Sequence, residues 1–275
     1  MRYKTILVHV DTDTAAPDRI RLAARLARQA DAHLVGAAPT GVSRFLDPTA
    51  AGPAIEARCR MLRDAASAAL QAFDRIAAEE GVASRETRLA DDDVDAALAL
   101  RARYADIVIV SQPDAATVAP PFPADLAARL ALGGGRPVLV VPRHGACNAI
   151  GGPALVAWDG SREATRAVTG ALPLLRAAAQ VTVVDFGGAE SPAGIVEDPC
   201  AALAAWLDRH GVAARCGHRP LAPDVAGALL AEAADVGAGL LVMGAYGHPR
   251  LREIVLGGVT ETILAAMTLP VLLAH

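Results

Sequence analysis

The sequence predicts an α/β fold made of two tandem repeats, each a parallel five-stranded sheet flanked by helices. Apolar runs of strand length alternate with helical stretches along the chain, and the pattern of the first half recurs in the second. The runs Thr5–Asp11 and Ala154–Asp159, for example, are both apolar and both end in aspartate. Strands that alternate with helices form parallel sheets with right-handed crossovers.

The remaining elements follow in the same order in both halves. In the first half we expect helices near 18–30, 55–80 and 94–104, a last helix that ends at the glycines 133–135, and strands near 33–38, 85–89, 107–111 and 136–142. In the second half we expect helices near 162–178, 200–210, 223–236 and from about 258, and strands near 180–186, 214–219, 240–244 and 269–275. Each half therefore reads β-α-β-α-β-α-β-α-β.

The domain boundaries follow from this repeat. Residues 1–143 form the first predicted domain and residues 153–275 the second. The stretch between them, 144–152, is polar and rich in glycine, which is typical of a linker.

Composition and charge exclude several classes of protein. The chain of 275 residues is 53% hydrophobic and 20% charged, so it can bury a sizeable core, whereas a net charge of −4 gives no reason to expect nucleic acid or an acidic membrane as partner. No apolar run reaches the ~18 residues of a spanning helix. The N-terminal stretch reads as a first strand rather than a signal peptide, which predicts a cytoplasmic protein. The four cysteines show no C-x-x-C pairing and are expected to be buried or idle thiols.

One stretch near the C-terminus, Leu240–Leu264, has the features of an anion site. An apolar strand is followed by glycines spaced G-x2-G-x9-G (Gly244, Gly247 and Gly257), and a helical pattern starts near Gly258. Glycine loops let backbone N–H groups approach an anion, and a helix N-terminus adds free N–H groups and a positive dipole. This stretch resembles the C-terminal nucleotide-binding loop of the universal stress protein family.

The resemblance covers essentially the whole chain, which looks like two fused universal stress protein domains. It implies a flavodoxin-like or adenine-nucleotide α-hydrolase-like fold in each half. Some members of the family bind ATP at this loop, so ATP, with its accompanying Mg²⁺, is an expected ligand. The family pattern continues with Ser or Thr where this chain has Gly258, which removes one hydroxyl donor to phosphate.

The family's nucleotide-binding positions carry over to the second half residue by residue. The aspartate beside the ribose and adenine matches Asp159, and Trp158 before it would either stack on adenine or fill its pocket. Phe186 matches the apolar contact to adenine. The full set of matching positions is Ala157, Trp158, Asp159, Phe186, Met243, Gly244, Gly247, Gly257, Gly258, Val259 and Thr260.

The first half has lost this motif. At a constant offset of 133 residues, Gly244 corresponds to Ser111, Gly247 to Asp114, Gly257 to Ala124 and Gly258 to Asp125. Two unit charges of like sign ~4 Å apart repel by roughly 4 kcal/mol at an effective dielectric of 20. Aspartates in this loop therefore disfavour a phosphate, and the first half is predicted to be a degenerate copy.

Several shorter patterns suggest local roles. Ser161, after Asp159-Gly160, is expected to cap the next helix. Asp91–Asp93 resembles a metal cluster, but its place before an apolar helix favours a helix cap with first-turn acids. Universal stress protein domains usually pair through their last strands, so the apolar strands 138–141 and 271–274 suggest an internal pseudo-dimer, with a homodimer as a further possibility.

The residues leave two classes of function open. The chain is either a stress-response or regulatory protein that binds ATP or AMP in its second half, or a scaffold in which both sites have decayed. No Walker A lysine, nucleophile elbow, paired carboxylates or metal-ligand spacing is present, so no catalytic residue is nominated. A slow ATPase is the most that the family resemblance allows.

Overall fold

The computed structural model describes residues 2–46, 49, 52–113, 126–144, 150–186, 198–220, 222–245 and 258–275. The first repeat comprises β1 (Thr5–His9), α1 (Ala16–Ala30), β2 (His33–Pro39), α2 (Pro53–Glu79), β3 (Arg85–Ala90), α3 (Val94–Ala102), β4 (Ile107–Ser111), α4 (Leu126–Gly133) and β5 (Val138–Val141). The second comprises β6 (Pro153–Ala157), α5 (Arg162–Ala177), β7 (Gln180–Phe186), α6 (Pro199–Arg209), β8 (Ala214–Arg219), α7 (Val225–Asp235), β9 (Leu240–Gly244), α8 (Gly258–Ala266) and β10 (Val271–Ala274). The predicted alternation is confirmed.

Both repeats have the same strand order. It is β3-β2-β1-β4-β5 in the first repeat and β8-β7-β6-β9-β10 in the second. The pairings β1–β2, β1–β4, β2–β3, β6–β7, β6–β9, β7–β8 and β9–β10 are parallel. The tandem α/β fold expected from the sequence is thus confirmed.

Chain contacts divide the protein into two compact units. One comprises Arg2–Val138 and the other Leu139–His275. The division falls within β5, whereas the sequence places a linker at 144–152. The domain boundaries 1–143 and 153–275 therefore stay a prediction.

Each sheet has an apolar centre and a polar edge. The central strands β1, β4 and β9 consist mainly of Ile, Leu and Val, and their first four residues are buried almost throughout. The outer strands β3 and β8 are partly exposed and carry arginines. Charged side chains at the edge of a sheet discourage pairing with a further strand. Within the described ranges no helix combines the length and apolarity that crossing a membrane requires.

Candidate functional site

The strand order creates one crevice in each repeat. Going outward from β1, the chain places β2 on one side and β4 on the other, and β6, β7 and β9 repeat this arrangement. Ligands of open α/β sheets bind beyond the carboxyl ends of the strands at such a switch point. An aspartate follows the central strand in both repeats. The Oδ1 atom of Asp11 accepts the backbone N–H of Asp13 at 3.1 Å, and that of Asp159 accepts the N–H of Ser161 at 2.9 Å.

In the first repeat a buried arginine occupies this crevice. Arg19 is only 1% exposed, although arginine is rarely buried without partners. Its Nε donates to the His9 carbonyl oxygen at 2.9 Å, its Nη1 to Ser111 Oγ at 2.6 Å, and its Nη2 to Asp11 Oδ1 at 2.9 Å. All three nitrogens of the guanidinium are therefore engaged by the protein itself.

The charges around Arg19 are set by this network. Burial raises the pKa of Asp11, but the charge and hydrogen bond of Arg19 and the charge of His9 outweigh it, and the pKa falls to about 2. Burial lowers the pKa of His9 to about 4, against the opposing charge of Asp11, which lies 3.3 Å from His9 Nδ1. His9 Nε2 is buried and has no hydrogen-bond partner among the described residues. At neutral pH the crevice thus holds one ion pair and a neutral histidine.

The second repeat has small residues where the first has this network. The spacing that relates Asp11 to Asp159 places Ala157 at the position of His9 and Ala167 at the position of Arg19. Gly244 takes the place of Ser111. Ala167 is fully buried, like Arg19, but has only a methyl group. Among the residues that the structure describes, the self-occupied crevice of the first repeat therefore has no counterpart in the second.

Gly244 allows helix α5 to pack closely on strand β9. A Cβ atom at Gly244 would lie 2.6 Å from the backbone nitrogen of Ala164 and 2.9 Å from the carbonyl carbon of Glu163. Only glycine fits at such distances. Ser161 caps α5 by accepting the N–H of Ala164 at 3.1 Å, so the predicted cap is confirmed. Gly244 thus has a packing role that is independent of any ligand.

A buried carboxylate accompanies this contact. Glu163 is 3% exposed, lies in the first turn of α5, and accepts a hydrogen bond from Arg162 at 3.4 Å. Its Cβ atom would be 3.0 Å from a Cβ at Gly244. A negative charge therefore lies beside the first glycine of the predicted phosphate loop, a feature that sequence reasoning missed.

The residues after β6 and β7 form the other part of the crevice. Trp158 donates its backbone N–H to the Val184 carbonyl at 2.9 Å, and its indole Nε1 is buried without a partner in the described parts of the chain. Burial raises the pKa of Asp185, and so do the charges of Asp198 and Asp159, while His218 opposes them. Phe186 ends β7 and is half-buried. An indole N–H donor and carboxylate acceptors thus lie at neighbouring strand ends.

The predicted site residues fall at three strand ends and one helix start. Ala157 ends β6, with Trp158 and Asp159 after it, and Met243 and Gly244 end β9. Gly258, Val259 and Thr260 form the first turn of α8, and Thr260 is buried. Gly247 and Gly257 lie outside the described residues, as do Asp114, Ala124 and Asp125 of the first repeat.

The predicted cap at Asp91–Asp93 is confirmed in position, because Asp93 is the N-cap residue of α3, but not as a hydrogen bond. Asp93 precedes α3 but makes no side-chain cap. Asp92 is buried and pairs with Arg44, and Asp91 pairs with Arg63. Asp91 and Asp92 are thus engaged by arginines rather than by the start of α3. No three His, Cys, Asp or Glu residues of the described segments are arranged to hold a metal ion.

Fold and crevice together define a tandem α/β protein of the class that binds ligands at strand ends. A family model described as the universal stress protein family matches residues 218–275. The match includes β9, the glycine-rich stretch and α8, the region on which the resemblance was based. The resemblance to the universal stress protein family is thereby confirmed for this part of the chain.

Solved structures show the same fold over nearly the full length. A universal stress protein from Archaeoglobus fulgidus DSM 4304 is 14% identical, with a TM-score of 0.76 over 98% of this chain and 95% of its own. A putative universal stress protein from Pseudomonas aeruginosa UCBPP-PA14 is 18% identical, with a TM-score of 0.62 over 99% of this chain and 93% of its own. At these identities the likeness concerns the fold alone. No curated protein matches the chain.

Proposed function

We propose that the chain is a stress-response or regulatory protein that binds an adenine nucleotide, ATP or AMP, in its second repeat. The observation that carries this proposal is the contrast between Arg19 and Ala167. The guanidinium of Arg19 fills the first crevice and is satisfied by protein groups. Ala167 has only a methyl group at the corresponding position, so none of the described residues fills the second crevice in this way.

The strand ends of the second repeat offer suitable groups for a nucleoside. Carboxylates such as Asp159 accept hydrogen bonds from ribose hydroxyls, and the buried indole N–H of Trp158 is a donor without a described partner. The aromatic faces of Trp158 and Phe186 suit a purine ring. The phosphates would lie at the glycine-rich stretch and at the start of α8, where helix N–H groups are free. Bound ATP would bring its own Mg²⁺.

A scaffold without a ligand is the second candidate, and Glu163 favours it. A carboxylate ~4 Å from a phosphate would cost roughly 4 kcal/mol at an effective dielectric of 20. Gly258 also lacks the hydroxyl that the family has at this position. If the repulsion by Glu163 and the missing hydroxyl outweigh the attraction of backbone N–H groups for phosphate, the second crevice binds no nucleotide. The fold would then serve assembly.

Calorimetric titration with ATP and AMP separates the two candidates. The chain has two tryptophans, so a Trp206→Phe variant leaves Trp158 as the single reporter of the crevice. We expect binding heat together with a change in Trp158 emission on addition of nucleotide. The matched variant Trp158→Phe, in which Trp206 reports, should show no emission change. If the wild type shows neither binding heat nor an emission change, the scaffold without a ligand is the remaining candidate.

For assembly we propose that the last strands pair internally, as a pseudo-dimer. Support comes from their composition, since all four residues of β5 and of β10 are apolar and buried. Light scattering during gel filtration tests the homodimer, for which a mass of twice 28.2 kDa is expected. A protein that is cytoplasmic, as the sequence suggests, would be recovered in the soluble fraction of its own cells.

A further inference from the structure

Two cysteines of the second repeat are brought together by the packing of α6 against β7 and β8. Cys200 lies in the first turn of α6, is fully buried, and its thiol donates to the Val183 carbonyl with 3.6 Å between Sγ and O. Val183 is the register partner of Cys216 in the parallel pair β7–β8. The carbonyl that the Cys200 thiol contacts thus belongs to the residue paired with Cys216, which places the two cysteines side by side.

The two elements that carry these thiols are fastened to each other at a second point. Asp198 caps α6 by accepting the N–H of Cys200 at 2.9 Å. The other carboxylate oxygen of Asp198 lies 3.2 Å from Nε2 of His218, which is two residues after Cys216 on β8. The helix start and the strand thus hold both sulfurs in place without a covalent link.

The two thiols differ in accessibility. Cys216 is exposed, whereas Cys200 is buried, and burial together with the neighbouring Cys216 thiol raises the pKa of Cys200 to about 12. An oxidant in solution therefore reaches Cys216 first, and Cys200 stays protonated until it reacts. Since exposure decides which thiol an oxidant meets, Cys216 is the initial site of attack.

We propose that Cys200 and Cys216 are a redox-sensitive pair that closes to an intramolecular disulfide when the protein meets a peroxide. The Cys216 sulfur attacks one peroxide oxygen, the O–O bond breaks, and the departing hydroxide takes up the Cys216 proton and leaves as water, so that Cys216 becomes a sulfenic acid. The Cys200 sulfur then attacks the Cys216 sulfur, the S–O bond breaks, and hydroxide leaves as water with the Cys200 proton. Two thiols are oxidised, and one peroxide is reduced to two waters.

Peptide mapping of the full-length protein tests the pair directly. Trypsin cuts after Arg209 and Arg215, so the two cysteines fall in separate peptides that only a disulfide can join. After treatment with hydrogen peroxide we expect the intact protein to lose the mass of two hydrogen atoms and the two peptides to be linked. Dithiothreitol should restore both, and the oxidised form should melt several degrees higher, because a cross-link restricts the unfolded chain.

Two variants provide the controls. Cys216→Ser removes the sulfur that the oxidant attacks, at an exposed position, so it should abolish the linked peptide and leave Cys200 reduced. Cys59 lies in α2 of the first repeat, far in sequence from the pair, so Cys59→Ser should form the link like the wild type. Oxidation of Cys216 to sulfinic acid without a link, a covalent dimer on non-reducing gels, or a link that survives Cys216→Ser would each overturn the proposal.

Discussion

The Nη1 atom of Arg19 lies 2.6 Å from Ser111 Oγ, so a helix side chain bridges to the strand end at the switch point of the first repeat. The same guanidinium pairs with Asp11 on its other side. In the second repeat the corresponding residues are Ala167 and Gly244, and the helix packs on the strand directly. Duplication of one fold has thus produced two crevices with different contents.

Replacing Arg19 should destabilise the protein strongly. In Arg19→Met the carboxylate of Asp11 loses its main partner, and removing one member of a buried pair costs about 3 kcal/mol or more. Urea unfolding followed by circular dichroism measures the loss. The control is Arg21→Met, because Arg21 pairs with Asp18 on the exposed face of α1, where an ion pair contributes at most about 0.5 kcal/mol. Equal losses in both variants would contradict the structural role of Arg19.

Mild acid should weaken the first repeat through His9. The pKa of His9 is about 4 in the folded protein, against an ordinary value of 6.5 for histidine in an unfolded chain. The unfolded chain therefore binds the proton first, and stability falls as the pH drops between these two values. The full effect is roughly 3 kcal/mol. Asp11 adds a second loss below about pH 3.8, since its folded pKa is about 2.

The variant His9→Ala isolates the first of these losses. It gives β1 the residue that β6 has at Ala157 and removes the titrating group. We expect its thermal midpoint to fall less than that of the wild type between pH 6.5 and pH 4. A parallel fall in both proteins would show that other groups control this range.

Two glycines of the predicted loop should respond differently to alanine. Gly244→Ala places a Cβ 2.6 Å from the Ala164 nitrogen, so α5 must shift and the free energy of unfolding should drop by about 2 kcal/mol. At Gly258 a Cβ would meet nothing within 4 Å among the described residues, and alanine suits a helix start, so Gly258→Ala should unfold like the wild type. Thermal melts decide this. A neutral Gly244→Ala would refute the close packing of α5 on β9.

A pair of loop variants should change nucleotide affinity in opposite directions. Gly247→Asp puts a negative charge into the proposed phosphate space and should abolish ATP binding while thermal stability is kept, since the first repeat has Asp114 at the matching sequence position. Gly258→Ser restores the hydroxyl that the family has and should tighten ATP binding by about fivefold, the worth of one net hydrogen bond. Calorimetric titration measures both. ATP bound equally by Gly247→Asp would place the phosphates elsewhere.

The sequence by itself determined the repeat, the alternation of strands and helices, and the cap at Ser161. These features depend on local patterns, such as apolar runs of strand length or a serine before a helix. Such patterns involve residues that are neighbours in the sequence, so they can be recognised without knowing which distant residues meet. Even the burial of Arg19 has a local signal, because helical spacing puts it on the face of Ala16, Ile20 and Ala23.

Only the tertiary structure decided which distant residues meet. Ser111 follows Arg19 by many residues, and only the pairing of β1 with β4 brings it to the guanidinium. The contact of Cys200 with Cys216 likewise depends on α6 packing against the edge of the sheet, and the role of Gly244 depends on the closeness of α5. Charge, thiol chemistry and backbone space at these sites are properties of three-dimensional neighbours, which residue spacing along the chain does not encode.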